Sequence, residues 1–254
     1  NRSAAFNGNI GLVYKSSQNW FFSAMLSSGF RSPNVDDISK VFDSEPGGVV
    51  VPNPNLKPEY SYNTELSMTK VFDDKVELKG SVFYSFLRDA MVRGDYQLNG
   101  EDSILYDGEL SRVQAILNTG RANIYGFNLG LKVDLSLTWS ATANVNLTEG
   151  TDLENNEPLR HTTPVFGMAS LNYKQKKING EFFVRFNGAR TLENLPPSER
   201  NKTHIYSSDG SLAWYTLNLR GQYSLTDWLT MNIALENILD HHYRTYSSGI
   251  SAPG

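Results

Sequence analysis

The stretch Trp214-Tyr215-Thr216-Leu217-Asn218-Leu219-Arg220-Gly221-Gln222-Tyr223 alternates without a break. Successive side chains of an extended strand point to opposite faces. Tyr215, Leu217, Leu219, Gly221 and Tyr223 therefore share one face, and Thr216, Asn218, Arg220 and Gln222 share the other. The next segment repeats the pattern, with Leu229, Met231, Ile233 and Leu235 opposed to Thr230, Asn232, Ala234 and Glu236. Upstream, the same period sets apart Val76, Leu78, Val82, Tyr84 and Phe86; Tyr125, Phe127, Leu129, Leu131, Val133 and Leu135; Ala141, Ala143, Val145 and Leu147; and Ile178, Phe182, Val184 and Phe186. About ten segments read this way, at 9–15, 20–30, 59–72, 76–88, 121–135, 138–149, 164–173, 178–189, 213–224 and 228–237. The chain is expected to be all-β and antiparallel.

The connections sort themselves. Short turns at Ser16-Ser17-Gln18-Asn19, Asp73-Asp74-Lys75, Ser136-Leu137, Gln175-Lys176-Lys177 and Leu225-Thr226-Asp227 alternate with long polar stretches at 31–58, 89–120, 150–163, 190–212 and after Asn237. A transmembrane barrel has this asymmetry, with short periplasmic turns, long outer loops, outward apolar rows and inward polar rows. Tyr14, Trp20, Phe72, Trp139, Tyr173, Tyr223 and Trp228 lie beside the short turns, where an interfacial girdle belongs. The polar rows hold Glu65, Lys79, Glu181, Arg185, Arg220 and Glu236, so that face needs water. Period two alone fits equally a soluble barrel with the same rows turned inside out. Loop sorting and girdle placement favour the membrane form.

Composition narrows the alternatives. A net charge of −4 without a dense basic cluster argues against a nucleic-acid partner. The chain has no cysteine, hence no disulfide framework and no thiolate chemistry. No apolar run approaches the roughly 18 residues of a spanning helix. About ten strands without a closing partner would leave unpaired edges that a bilayer does not tolerate. The chain is therefore expected to be part of a larger barrel.

Two boxes carry a family resemblance. Gly29-Phe30-Arg31-Ser32-Pro33-Asn34 is followed after a loop by Asn53-Pro54-Asn55-Leu56-Lys57-Pro58-Glu59, then Asn63 and Glu65. With Asn123-Ile124-Tyr125-Gly126-Phe127, the Pro158–Pro164 stretch, Leu235–Asp240 and Tyr243-Arg244, these resemble the barrels of TonB-dependent outer-membrane receptors along essentially the whole chain. The resemblance implies a barrel of about 22 strands, plugged by an N-terminal globular domain and driven by a TonB complex. Residues 1–254 would be its C-terminal part, without the plug, the TonB-contacting segment, the first half of the barrel and the last strand. It also implies location in the bacterial outer membrane, outer-membrane lipid as a neighbour, a small-molecule metal complex as cargo and an accessory lipoprotein as a further partner. No resident cofactor is implied.

Phe30, Arg31, Pro33, Asn53, Pro54, Asn55, Leu56 and Glu59 form the family motif. Their bland reading is architectural: proline removes a ladder donor and ends a strand at the rim. Paired boxes of this kind resemble those of haem receptors in particular, although Ser32 replaces an alanine and no histidine lies between Arg31 and Leu56. Siderophore, haem and cobalamin cargo stay open, with an iron complex favoured. Candidate ligand contacts are Arg31, Arg160, Arg200, Lys202, His204 and Tyr206, whose cations would attract an anionic complex. Each is also a plausible solvated loop residue. His241 and His242 are neighbours, so in an extended strand they face apart and cannot share a metal.

No nucleophile elbow, phosphate loop or metalloprotease helix is present, and no catalytic residue is expected. The rival readings are a passive porin-like or adhesive outer-membrane barrel and a soluble β-rich binding protein.

Overall fold

The computed structural model describes residues 5–16, 19–39, 41–45 and 47–252. In chain order its strands are β1 (Asn9–Ser16), β2 (Trp20–Arg31), β3 (Phe42–Glu45), β4 (Gly48–Val51), β5 (Glu59–Phe72), β6 (Val76–Asp95), β7 (Ser103–Tyr106), β8 (Glu109–Asp134), β9 (Trp139–Asp152), β10 (Glu157–Pro158), β11 (Phe166–Gln175), β12 (Ile178–Asn187), β13 (Trp214–Ser224) and β14 (Thr230–Leu235). Two short helices, α1 (Val35–Ser39) and α2 (Pro197–Arg200), lie in the loops. All the strands join one 14-stranded sheet, and its path runs β1-β2-β5-β6-β8-β9-β11-β12-β13-β14. Each sequence segment with period two falls on one strand of that path, and every step along it is antiparallel.

Short turns close one end of this meander for local reasons. Asp73 and Asp74 take left-handed backbone (φ 47 and 54), which Asp tolerates, and Lys75 N–H donates to Phe72 O at 2.9 Å. The Ser136 hydroxyl accepts from the Thr138 and Trp139 amides, and the Thr226 hydroxyl from that of Leu229. Ser17 and Gln18 of the first expected turn lie outside the described residues.

Register decides which side faces what. Directly opposed residues share a face, so Phe72, Val76, Val133, Ala141, Leu171, Phe182, Leu219 and Leu235 form one apolar row across eight strands. This row is open: Phe182 is 43% and Leu219 44% exposed. The intervening polar-face residues are shielded, with Phe183 at 1%, Asn218 at 3% and Thr216 at 2%. A soluble barrel requires the reverse, because leaving one such apolar side chain in water forfeits about 1.5–3 kcal/mol. The shielded face is knit by hydrogen bonds between Thr142 and Ser170 (2.8 Å), Asn128 and Ser81 (3.1 Å), and Asn172 and Ser170 (2.9 Å). Arg220 pairs there with Glu181 at 3.4 Å and covers the Phe183 ring.

The expected aromatic girdle exists. Trp20 and Phe22 stack at 5.6 Å, Tyr14 and Phe22 at 6.4 Å, and Trp139 meets Tyr173 at 4.9 Å, all on the apolar face beside the short turns. A second belt of Phe30, Tyr60, Tyr62, Tyr84, Tyr125 and Tyr215 crosses the same face near the loop ends, and the sequence reading missed it. From Phe72 to Tyr62 a strand advances about 34 Å at about 3.4 Å per residue. A tilt of about 40° projects this to about 26 Å, the height of an outer-membrane apolar band.

Two expectations change. Residues 89–120 are not a polar loop: β6 continues to Asp95 past a bulge at Asp89 (φ 55), β7 forms inside the stretch, and β8 begins at Glu109. The alternation is hidden because the bulge shifts its phase. Nor is 31–58 a polar loop throughout, since it holds β3 and β4, and β4 pairs in parallel with β8 off the antiparallel path. Val49, Val51, Val113 and Ala115 there form a buried core flanked by Tyr96, Leu98, Ile104, Tyr106 and Leu117. Gly126 of the Asn123–Phe127 motif is a forced glycine, because a Cβ would collide with the Leu147 carbonyl oxygen and the Phe83 ring.

Leu66 pairs with Val82 midway between the two belts. Leu66→Arg is expected to reduce the stability of the protein folded into bilayers by about 2–4 kcal/mol. Ser85→Arg, on the polar face, is expected to lower it by less than about 1 kcal/mol. Guanidinium titrations read by gel migration check both.

Candidate functional site

The long loops gather at the end opposite the short turns, in two clusters. The first contains the paired boxes. Asn34 and Asp37 exchange backbone-to-side-chain hydrogen bonds at 3.0 and 2.8 Å, capping α1 in the manner of a capping box. Arg31 donates to Asp37 at 3.0 Å and to Glu59 at 2.7 Å, and the other Glu59 oxygen accepts the Met91 amide at 2.8 Å. Buried Asn53 donates to the Ile116 carbonyl (2.8 Å) and accepts from the Asn55 amide (3.1 Å). Lys57 and Asn118 exchange bonds at 2.7 and 2.8 Å. Together these contacts stitch the two boxes to each other and onto β6 and β8. Pro33 follows the end of β2, Pro54 and Leu56 lie between Asn53 and β5, and Phe30 sits against Tyr60 at 6.3 Å in the outer belt.

The second cluster joins three stretches, 153–165, 188–213 and 236–252. At its centre is Glu199 of α2, whose side chain is only 3% exposed and whose Oε1 accepts from Arg160 at 2.7 Å and Lys202 at 2.8 Å. Burial opposes ionisation of this carboxyl, but Lys202 and Arg160 outweigh it and hold the group below the ordinary carboxylate range. Arg190, itself buried, donates to both Glu149 oxygens at 2.9 and 3.0 Å. Arg200 donates to the carbonyls of Leu195 and Glu193, closing its own loop. Arg244 donates to the His204 and Ile205 carbonyls at 2.6 and 3.0 Å, and His161 Nδ1 meets Ser247 Oγ at 2.9 Å. Buried Tyr206 lies against Tyr246 at 6.1 Å. Burial, and then the proximity of Tyr206, push the Tyr246 hydroxyl up to about 12.

Between the β12–β13 loop and the C-terminal stretch lies a cavity of about 450 Å³, walled by Tyr206, Trp214, Tyr243, His241, His242 and Arg244. Trp214 and Tyr243 pack at 4.3 Å, and His241 stacks on Tyr215 at 5.9 Å. Arg190 Nε, Glu199 Oε2 and Trp214 Nε1 are buried without a hydrogen-bond partner among the described residues.

Of the candidate contacts, Arg160, Lys202, His204, Tyr206 and Arg200 fall in this second cluster, Arg160 and Lys202 on Glu199 and Arg200 on its own loop, and of the five Tyr206 lines the cavity. Arg31 does not; it belongs to the first cluster. Glu199, Arg190, Glu149, Trp214, Arg244 and Tyr246 were missed as site residues. Glu199 and Lys202 stand at helical i,i+3 spacing after Pro197, a signal within reach. Arg190 and Glu149 carry no local signal, being joined only by the fold.

Residues 1–238 match the family described as TonB dependent receptor-like, beta-barrel. The chain belongs to the TonB-dependent receptor β-barrel family. That family is one of receptors and not of enzymes. The chain is similar to the probable hemoglobin and hemoglobin-haptoglobin-binding protein 4 of Haemophilus influenzae, at 23% identity over 89% of this chain and 24% of the relative. It is similar also to the pesticin receptor of Yersinia pestis, at 26% identity over 78% of this chain and 28% of the relative. The solved siderophore receptor PirA from Acinetobacter baumannii shares its fold, with a TM-score of 0.78 and 18% identity over 98% of this chain and 39% of that structure. The chain thus spans about a quarter of the length of the curated relatives it matches.

Glu199→Gln leaves Arg160 and Lys202 without their carboxylate. Amide exchange across 188–213 and 158–163 is expected to accelerate about 5–30-fold, equivalent to about 1–2 kcal/mol, with strand amides unchanged. Because the Glu199 carboxyl is depressed in the folded loops, its contribution is present above the ordinary carboxylate range, about 4.3, and is lost as pH falls through the folded value. Exchange mass spectrometry between pH 7 and 3 reads both effects.

Proposed function

We propose that this chain is the C-terminal part of the wall and outer loops of a receptor in the bacterial outer membrane that takes up a scarce nutrient complex, an iron complex being the favoured cargo. The observation that carries the reading is the pairing of an open apolar row across eight strands with a shielded polar face and loops gathered at one end. A water-filled interior and a lipid-facing exterior account for all three.

Within that reading, Arg160, Arg200, Lys202, His204 and Tyr206 line or brace the capture surface, and Arg31 and the boxes hold the rim. Arg244, which lines the cavity, bonds neutral carbonyls and meets no carboxylate among the described residues, which favours an anionic complex there. The names of the relatives support iron-bearing cargo: one is named a probable hemoglobin and hemoglobin-haptoglobin-binding protein, and the PirA structure is that of a siderophore receptor. Haem and ferric siderophore are thus the two cargo classes. A TonB complex, acting through an N-terminal part, supplies the energy, and outer-membrane lipid surrounds the wall. An accessory lipoprotein completes the proposed set of partners.

Absorbance titration of the parent receptor with hemin, a ferric siderophore and cobalamin tests the reading. Saturable binding of an iron complex is expected, and indifference to all three ligands would contradict it. A Soret shift that His204→Ala abolishes would assign haem as the cargo and His204 as its ligand.

A further inference from the structure

Gly180 and Gly221 are opposed in register on the apolar face, flanked along the same row by Tyr173 and Ile233. A Cβ at either glycine would meet nothing within 4 Å. The result is a groove of about 370 Å³ walled by Ile178, Leu219, Tyr223, Met231, Ile233 and Leu235. Tyr173 and Trp139 of the girdle stand at one end. The groove therefore opens in the wall just inside the short-turn interface.

The turn that leads into it is basic. Lys176 and Lys177 are both exposed, and Lys177 directly precedes Ile178 of the groove wall, whereas Lys174 is opposed to Asn179 and lies on the polar face. Neither turn lysine pairs with a carboxylate among the described residues, whereas Lys79, Lys132 and Lys202 do. An apolar slot next to two unpaired cations, at the level of an aromatic girdle, matches one kind of molecule: an acyl chain ending in an anionic head.

We infer that the β11–β12 turn and the Gly180/Gly221 groove form a binding site for an anionic phospholipid of the periplasmic leaflet. The acyl chain lies in the groove and the phosphate is held by Lys176 and Lys177. This rests on the reading of the apolar face as lipid-facing. Each lysine near an anionic surface contributes enough to change affinity several-fold, so the two together discriminate phosphatidylglycerol from zwitterionic phosphatidylethanolamine.

The test is native mass spectrometry of the parent receptor in detergent, titrated with each lipid, after heat-modifiable gel migration has established that the protein inserts into vesicles. One phosphatidylglycerol is expected to be retained saturably, with phosphatidylethanolamine about tenfold weaker. Substituting Lys176 and Lys177 by Gln is expected to weaken phosphatidylglycerol about tenfold, and Lys174→Gln, on the polar face, is expected to leave it unchanged. Gly180→Leu with Gly221→Leu, which fills open space, is expected to remove the retained lipid. Equal binding of the two lipids, a Lys176 and Lys177 variant that binds like the parent, or cross-linking of a second copy into the groove would overturn the site while leaving the membrane reading intact. Failure to insert would overturn both.

Discussion

A backbone amide inside hydrocarbon has no water to turn to, so every ladder bond must be made within the sheet. In the proposed outer-membrane setting, that constraint accounts for the plain meander of this chain. Neighbouring strands in sequence are neighbours in space along the main path, and each long hairpin closes its own ladder before the next begins. Once the ladder is fixed, side-chain period two sets the two faces, and a slip of one residue would exchange them. Phe182 and Phe183 illustrate how sharply the faces divide. Adjacent and of one type, they are 43% and 1% exposed.

Beyond the outer belt the constraint relaxes, because water can satisfy the backbone, and the architecture changes with it. There the chain uses a bulge, a parallel pairing of β4 with β8 and a small valine-rich core. The paired boxes are the hinge between the two regimes. Arg31 ties the end of β2 to α1 and to the start of β5, and Glu59 passes that connection on to Met91 of β6. The second loop cluster works differently, by convergence of charges from separate loops on Glu199 and by fastening of the C-terminal stretch through Arg244 and Ser247.

The meander was legible because its rules are local. In β13, Leu217 and Leu219 against Thr216 and Asn218 define a strand and its faces without reference to anything else. The loops were less legible because their rules are not. Val49 finds Val113 across more than sixty residues, and no periodicity around either announces the pairing. Arg31 was legible as a motif residue, but its ion pairs with Asp37 and Glu59 were not. Arg160 and Lys202 were singled out for charge alone, and only the buried carboxylate of Glu199 explains why they meet. Tyr84 and Tyr125 read as ordinary members of apolar rows, and the second belt emerges only when register aligns them.

The central claim is that the rows of Phe182, Val184, Leu219 and Tyr223 face lipid and those of Glu181, Arg185, Arg220 and Gln222 face water. The chain has no cysteine of its own, so single cysteines at these eight positions, each carrying a fluorophore, can be read in vesicles containing brominated lipid. Quenching at the first four positions and not at the second four is the expected outcome. Uniform quenching, or quenching at Glu181, Arg185, Arg220 and Gln222 instead, would contradict the account.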